Sequence, residues 1–332
     1  MADHRTRRAK LRRRFVSIPA LFATAVVLTI TIPIWLPMAI IVDAARLRFR
    51  FPILRLMTFA VCWSWIEIGG VVRALGVWLV GRGDDPATQY ALMRWWANLV
   101  MSALQATTGI APSAEGIEAL AAGNAIVLCR HASLADSLLS AWAIRGQADV
   151  WPRYVLKDEL LLDPCLDIVG LRVPNHFLDR DASDTETELK ALSRLASGLG
   201  PGSVAVIFPE GTRANDRKRQ HAIEKISERD PGRAARLAGL RRLIPPRPAG
   251  SKALMAGAPG ADVVFAWHTG FDGLDTFGGI LAKLAKPLPP VRFVARRVAR
   301  SEVPDDAEFT TWLDDQWLQM DAQVDEALRS YS

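Results

Sequence analysis

The sequence is poor in cysteine. Cys62, Cys129 and Cys165 are the only three in 332 residues, they lie far apart, and two of them sit in strongly apolar surroundings. A disulfide framework and a cysteine metal cluster are thereby excluded as organising principles, and the usage points to a reducing compartment. Also absent are a Gly-x-Ser-x-Gly elbow, a clustered histidine pair and a carboxylate set at metal-ligand spacing, so neither a serine nucleophile, a metal nor a cofactor is expected. There is no internal repeat and no long low-complexity tract. The formal charge of +6 suggests a nucleic-acid partner, but Arg5, Arg7, Arg8, Lys10, Arg12, Arg13 and Arg14 alone supply seven positive charges. What remains is near −1 and lacks a phosphate-neutralising face, so nucleic acid is not an expected partner.

Long apolar stretches are present instead. Residues 16–42 carry no charge, which is long enough as a helix to cross or deeply enter a bilayer core. A cleavable signal peptide is disfavoured because the run is long and no small-residue cleavage site follows it. A second run, 56–80, is interrupted by Glu67 and Arg73 and carries Trp63, Trp65 and Trp78, amphipathic aromatics suited to an interface. Arg46, Arg48, Arg50 and Arg55 between the runs oppose a two-span hairpin that would place this loop outside. With Pro19, Pro33 and Pro37 able to kink the first helix, the expectation is a hairpin or re-entrant pair embedded from the cytoplasmic side. The remainder of the chain would then face the cytoplasm, with the lipid bilayer as a partner.

The sequence divides into a basic tail (1–15), membrane-embedded helices (16–80), a linker and helix (81–120), a globular domain (121–300) and a C-terminal amphipathic helix (301–332). Gly81 to Pro86 is a clear break, and the following segment to about Thr108 reads as a helix. Short β-branched runs at 125–129, 173–178, 203–208, 263–267 and 291–294, with 154–156 as a further candidate, read as strands alternating with helical patterns. The fold class is therefore α/β. Ser183 and Glu186 have capping-box spacing ahead of Leu189, Leu192 and Leu195. Phe309, Leu313, Trp317, Met320, Val324 and Leu328 form a helical stripe expected to be a packing face.

Chemistry concentrates at strand ends. After the first strand of the globular domain comes Arg130-His131-Ala132-Ser133-Leu134-Ala135-Asp136, where a turn from strand into helix can bend the Asp136 carboxylate onto one imidazole nitrogen of His131 and leave the other free as a base. The spacing alone is a weak signal, compatible with a surface histidine. Beyond 203–208 lies Phe208-Pro209-Glu210-Gly211-Thr212-Arg213, in which Arg213 offers a planar fork for phosphate oxygens and Gly211 permits close backbone approach.

Together these stretches resemble the glycerolipid acyltransferases, exemplified by lysophosphatidic acid acyltransferases. His131 to Asp136 matches the family's His-x4-Asp motif, and Phe208 to Arg213 matches its Phe-Pro-Glu-Gly-Thr-Arg motif without a mismatch. Val155-Leu156-Lys157-Asp158-Glu159-Leu160 and Phe177-Leu178-Asp179-Arg180 look like its Lys-containing segment and its second block, while Ile244-Pro245-Pro246-Arg247-Pro248 occupies the place of the fourth. The resemblance covers roughly residues 122–270. Two departures stand out: Arg130 replaces the family's usual Asn, and Ser133, Leu134 and Ala135 differ from the best-studied branches. A charged insert with Arg217, Lys218, Arg219, Lys225 and Arg229 reads as a solvated helical face, with anionic headgroups or the coenzyme A nucleotide as alternative contacts.

The resemblance implies a central mixed sheet flanked by helices, with His131 and Asp136 catalytic. It implies substrate-binding roles for Lys157, Arg180, Glu210, Gly211, Thr212, Arg213, Pro246 and Arg247; Glu210 and Thr212 would shape the loop or bind acceptor oxygens. The implied reaction moves an acyl group from acyl-CoA or acyl carrier protein onto 1-acyl-sn-glycerol-3-phosphate, giving phosphatidic acid. Backbone amides near the start of the helix after His131 are expected to stabilise the oxyanion. Cys129 is expected to be core rather than nucleophile. Alternative readings are another acceptor (a different lysophospholipid, glycerol-3-phosphate or a glycolipid) and a non-catalytic lipid-binding scaffold.

Overall fold

The computed structural model describes residues 6–178, 185–274 and 276–330. In chain order its first helices are α1 (Arg7–Ile30), α2 (Ile32–Ala45), α3 (Pro52–Leu79) and α4 (Pro86–Thr108). Strand β1 (Pro112–Glu115), α5 (Glu118–Ala121), β2 (Ala125–Cys129), α6 (Asp136–Ala141), β3 (Trp151–Lys157) and β4 (His176–Leu178) follow. Next come α7 (Thr185–Ala196), β5 (Ser203–Ile207), α8 (Asp216–Ser227), α9 (Pro231–Leu237) and α10 (Pro248–Gly257). The chain ends with β6 (Asp262–Thr269), α11 (Phe277–Leu284), β7 (Val291–Val298) and α12 (Asp306–Arg329). Two compact units result: one of residues 1–111, 156–181 and 277–288, the other of 112–155, 182–276 and 289–332. Both are discontinuous in sequence, unlike the linear division drawn above.

In the first unit, α1 and α3 are long and apolar enough to cross a membrane, and α2 is a shorter apolar helix. The uncharged run is not one kinked helix. It breaks at Thr31, and Pro33 falls in the first turn of α2, where its missing N–H costs nothing, while Pro19 and Pro37 lie inside helices. The helix also reaches back to Arg7, so most of the basic tail is helical. Asp43, fully buried, ends the run by accepting from the Ile53 and Leu54 amides at 2.9 and 3.3 Å, capping the start of α3. The core of this unit joins Leu21 and Ala25 of α1 to Ile68, Val71 and Ala74 of α3 and to Cys165 and Ile168.

The second unit is built on a mixed sheet. Its strand order is β1-β7-β6-β2-β5-β3, while β4 is grouped with the first unit. β2 lies parallel to both β5 and β6, β3 is parallel to β5, and β7 runs antiparallel to β6 but parallel to β1. Every residue of β2 and β5 is buried, which explains why both read as unbroken apolar runs rather than as alternation. β1 has the sequence Pro-Ser-Ala-Glu and is half exposed at the sheet edge, so no hydrophobic signal announced it. The core packs Leu192 and Leu195 of α7, Leu254 of α10, and Phe309, Leu313, Trp317, Met320 and Val324 of α12 against the sheet. The C-terminal stripe is thus a packing face, with Leu328 at its margin. Ser183 lies outside the described residues. The charged insert forms α8, which has no buried residue and carries Arg217, Lys218, Arg219 and Lys225, and then α9, which buries Ala234 and Leu237.

Candidate active site

Three adjacent parallel strands, β5, β2 and β6, end side by side, and the loops leaving them build one cluster, as is general for the carboxyl ends of parallel strands. Past β2, the Arg130 amide continues the ladder onto Ala266 O at 2.9 Å; the chain then turns and enters α6 at Asp136. That turn brings Asp136 Oδ2 to 2.8 Å from His131 Nδ1. The same carboxylate accepts from the Ala132 amide at 2.6 Å, from the Ser133 amide at 2.9 and 3.0 Å, and from the Ser133 hydroxyl. Asp136 is 2% exposed. Burial pushes its carboxyl upward, but the nearby His268 and the hydrogen bond from His131 outweigh this and hold it well below the usual carboxylate range. His131 keeps its Nε2 without a partner among the described residues, on a ring 17% exposed.

Residues 208–214 fix the backbone of His131 from both sides. Glu210 Oε1 accepts the His131 amide at 2.7 Å, and the Ala214 amide donates to His131 O at 2.7 Å. The Phe208 ring lies 5.0 Å from the imidazole, tilted against it. Glu210 is 1% exposed, and its other oxygen accepts the Ile244 amide at 3.0 Å. It therefore ties the His131 turn to the 244–248 segment. Burial pushes its carboxyl up to about 8, against the pull of the two amide donors and Arg130.

Gly211 closes the loop's turn, its amide donating to Phe208 O at 3.0 Å with φ +67°, a conformation that favours glycine. A Cβ there would come within 3.2 Å of the Arg247 guanidinium, which also anchors nearby through its own amide to Pro209 O at 2.9 Å. Neither Arg213 nor Arg247 has a side-chain hydrogen bond or ion pair among the described residues. Thr212 accepts from Lys218 Nζ at 3.1 Å, and the same ammonium reaches Arg213 O at 3.2 Å. Pro246 is buried, its carbonyl taken by Arg233 at 2.8 Å, and Pro248 opens α10. Lys157 ends β3 and is grouped with the first unit; Arg180 lies outside the described residues.

The amides of residues 131–135 donate to Glu210, Asp136, Asp136, Leu274 O and Ser133 Oγ in turn, so these five are engaged inside the turn, ahead of the start of α6 at Asp136. Sequence reasoning missed His268 and Asp272. His268, 3% exposed at the end of β6, places Nε2 2.8 Å from Asp136 Oδ1, an ion-pair distance without straight hydrogen-bond alignment. Arg130 is 2% exposed, with Nη1 on His268 O and Nη2 2.5 Å from Asp272 Oδ1. The only cue was a histidine closing the apolar run 263–267. Cys129 is buried and its thiol is pushed up by burial and by Asp136, so it is held neutral in the core.

Residues 92–248 match the acyltransferase family model. Over 293 residues, 83% of this chain and 77% of the relative, the sequence is 24% identical to 1-acyl-sn-glycerol-3-phosphate acyltransferase epsilon of Mus musculus. The crystal structure of the 1-acyl-sn-glycerophosphate (LPA) acyltransferase PlsC from Thermotoga maritima is similar with a TM-score of 0.43 and 16% identity, covering 79% of this chain and 95% of that one. The matched stretch, residues 92–248, contains His131, Asp136 and the 208–213 loop.

Proposed function

We propose that this chain is a membrane-bound enzyme that transfers a fatty acyl group from acyl-CoA or acyl carrier protein to the free hydroxyl of 1-acyl-sn-glycerol-3-phosphate, forming phosphatidic acid. The observation that carries this reading is the state of His131: Nδ1 engaged by a buried, ionised Asp136, Nε2 without a partner among the described residues, and the backbone pinned on both sides by Glu210 and Ala214. In the proposed reaction Nε2 takes the proton of the acceptor hydroxyl as its oxygen attacks the thioester carbonyl. The tetrahedral intermediate collapses with cleavage of the C–S bond, and the imidazolium returns the proton to the departing thiolate. Asp136 fixes the tautomer and supports the transient positive charge.

The unpartnered Arg213 and Arg247 beside Gly211 supply fixed positive charge suited to the acceptor phosphate. Similarity to the mouse 1-acyl-sn-glycerol-3-phosphate acyltransferase epsilon favours the same acceptor. The apolar α1 and α3 would keep the enzyme on the bilayer in which both substrates dissolve, with its catalytic domain in the cytoplasm.

The test is acyl transfer to lysophosphatidic acid and to a panel of phosphorylated and neutral acceptors, from each donor class. His131→Ala, checked for folding, is expected to lose at least about a thousandfold in kcat; unchanged turnover sinks the assignment of the base. Arg213→Ala is expected to raise KM about tenfold for phosphorylated acceptors only. An effect confined to neutral acceptors would remove the phosphate role.

A further inference from the structure

Asp136 is gripped unequally. Its Oδ2 and much of its Oδ1 are served by residues 131–133, a single short turn that moves with His131 itself. A carboxylate held only by the turn it is meant to orient has no outside reference. His268 supplies one, because it comes from β6, whose backbone is paired on both edges, with β2 and with β7. Its Nε2 stands 2.8 Å from Oδ1, the oxygen that His131 does not use.

The tautomer follows from the surroundings. Nδ1 of His268 has no hydrogen-bond partner in the buried interior, and its ring meets Phe271 edge-on at 5.9 Å. A proton on Nδ1 would leave a buried N–H unpaired and press the Nε2 lone pair against a carboxylate oxygen. With the proton on Nε2, the N–H faces the Asp136 carboxylate at 2.8 Å, out of line for a straight hydrogen bond but electrostatically favourable, and Nδ1 is left as a bare acceptor. Arg130 holds this strand end in turn. A guanidinium at 2% exposure is costly unless engaged, and this one clamps the His268 carbonyl and Asp272. The residue that departs from the resembled family at position 130 is thus the one that fixes His268.

We propose that His268, backed by Arg130 and Asp272, is a positioning residue of the acyl-transfer centre that holds Asp136 in place for His131. The inference rests on the acyl-transfer reading. It has no part in substrate contact, so its loss acts on turnover through Asp136.

The test uses the full chain in detergent or vesicles and compares His268→Leu with His268→Gln, whose amide N–H can still reach Asp136. Leu is expected to lower kcat about tenfold to a hundredfold with KM within about twofold, and Gln to recover most of that loss. A folded Leu variant with wild-type kcat overturns the proposal, as does an equal loss in both variants that tracks an equal fall in thermal stability. Histidine nitrogen NMR on the wild type reads the contact without any turnover: a His268 protonated at Nε2 is expected, and one protonated at Nδ1 overturns it. If the wild type transfers acyl groups to none of the acceptors, the acyl-transfer reading fails, while the tautomer still decides the His268–Asp136 contact.

Discussion

Glu210 shows how far one side chain can govern a site it does not enter. Each of its oxygens accepts a different backbone amide, from His131 and from Ile244, so it sets the distance between two loops. Glu210→Gln keeps the shape but turns a nitrogen toward one of those N–H groups. A protonated carboxyl can point its single hydrogen away; an amide nitrogen cannot. The expected cost is about 1–3 kcal/mol of stability with a parallel loss of activity, measured by denaturant unfolding and turnover. The pH dependence has a definite sign. Burial raises this carboxyl from its ordinary 4.5 to about 8 in the folded chain, so its stabilising contribution is full below about 4.5 and is lost as pH climbs through about 8. Gln has no such limb; equal alkaline sensitivity of wild type and variant would remove Glu210 as its source. The His131 and Asp136 pairing was legible because it closes within one turn. His268 and Asp272 were not, because sheet order alone brings β6 beside β2, and strand order leaves no mark in local spacing.

Among the elements, α7 and α10 pack closely at Gly257, where an added Cβ would stand 2.0 Å from the Ser193 carbonyl oxygen. Two effects compete in Gly257→Ala. Removing a helical glycine gains at most about 1 kcal/mol, whereas forcing two backbones apart in a packed core costs roughly 1–3 kcal/mol or more. The clash wins because its partner is backbone, not a side chain that can swing away. We expect a lower midpoint of thermal unfolding for Gly257→Ala and no loss for Gly260→Ala, where a Cβ meets nothing within 4 Å. Equal midpoints for the two variants would show that α7 and α10 part without cost. The sequence displayed the apolar stripe of α7 through Leu189, Leu192 and Leu195, and that of α12 as well. It did not display what they face: Trp317 of α12 donates to Ile244 O at 2.9 Å, and Asp321 accepts the Arg241, Arg242 and Leu243 amides, so a packing helix also braces the segment that Glu210 grips. Such contacts join stretches whose local patterns are complete without each other.

At the scale of the whole chain, the N-terminal segment is not a detachable anchor on its own unit. Leu21 and Ala25 share a core with Cys165 and Ile168, and Asp167 is fully buried between Arg13 and Arg14 at 2.5 and 2.6 Å. Two charges of the basic tail are therefore spent inside the fold rather than on solvent or headgroups, which no count of lysines and arginines could distinguish. Deleting residues 1–80 strips that core and leaves Asp167 without either arginine. The expected product is aggregated or poorly folded on size exclusion and circular dichroism, whereas a separable anchor would leave a soluble, active remainder. Asp167→Asn in the full chain isolates the ionic part. Because the arginines stay partly exposed, with side-chain accessibilities of 17% and 31%, they regain some hydration when the carboxylate is lost, so the cost falls below that of a fully buried pair, about 1–3 kcal/mol. Freed from Asp167, Arg13 and Arg14 become better trypsin sites, and cleavage there should accelerate while association with vesicles persists through the apolar helices. An unchanged cleavage rate would mean that the hydrophobic contacts of α1 alone hold the segment down.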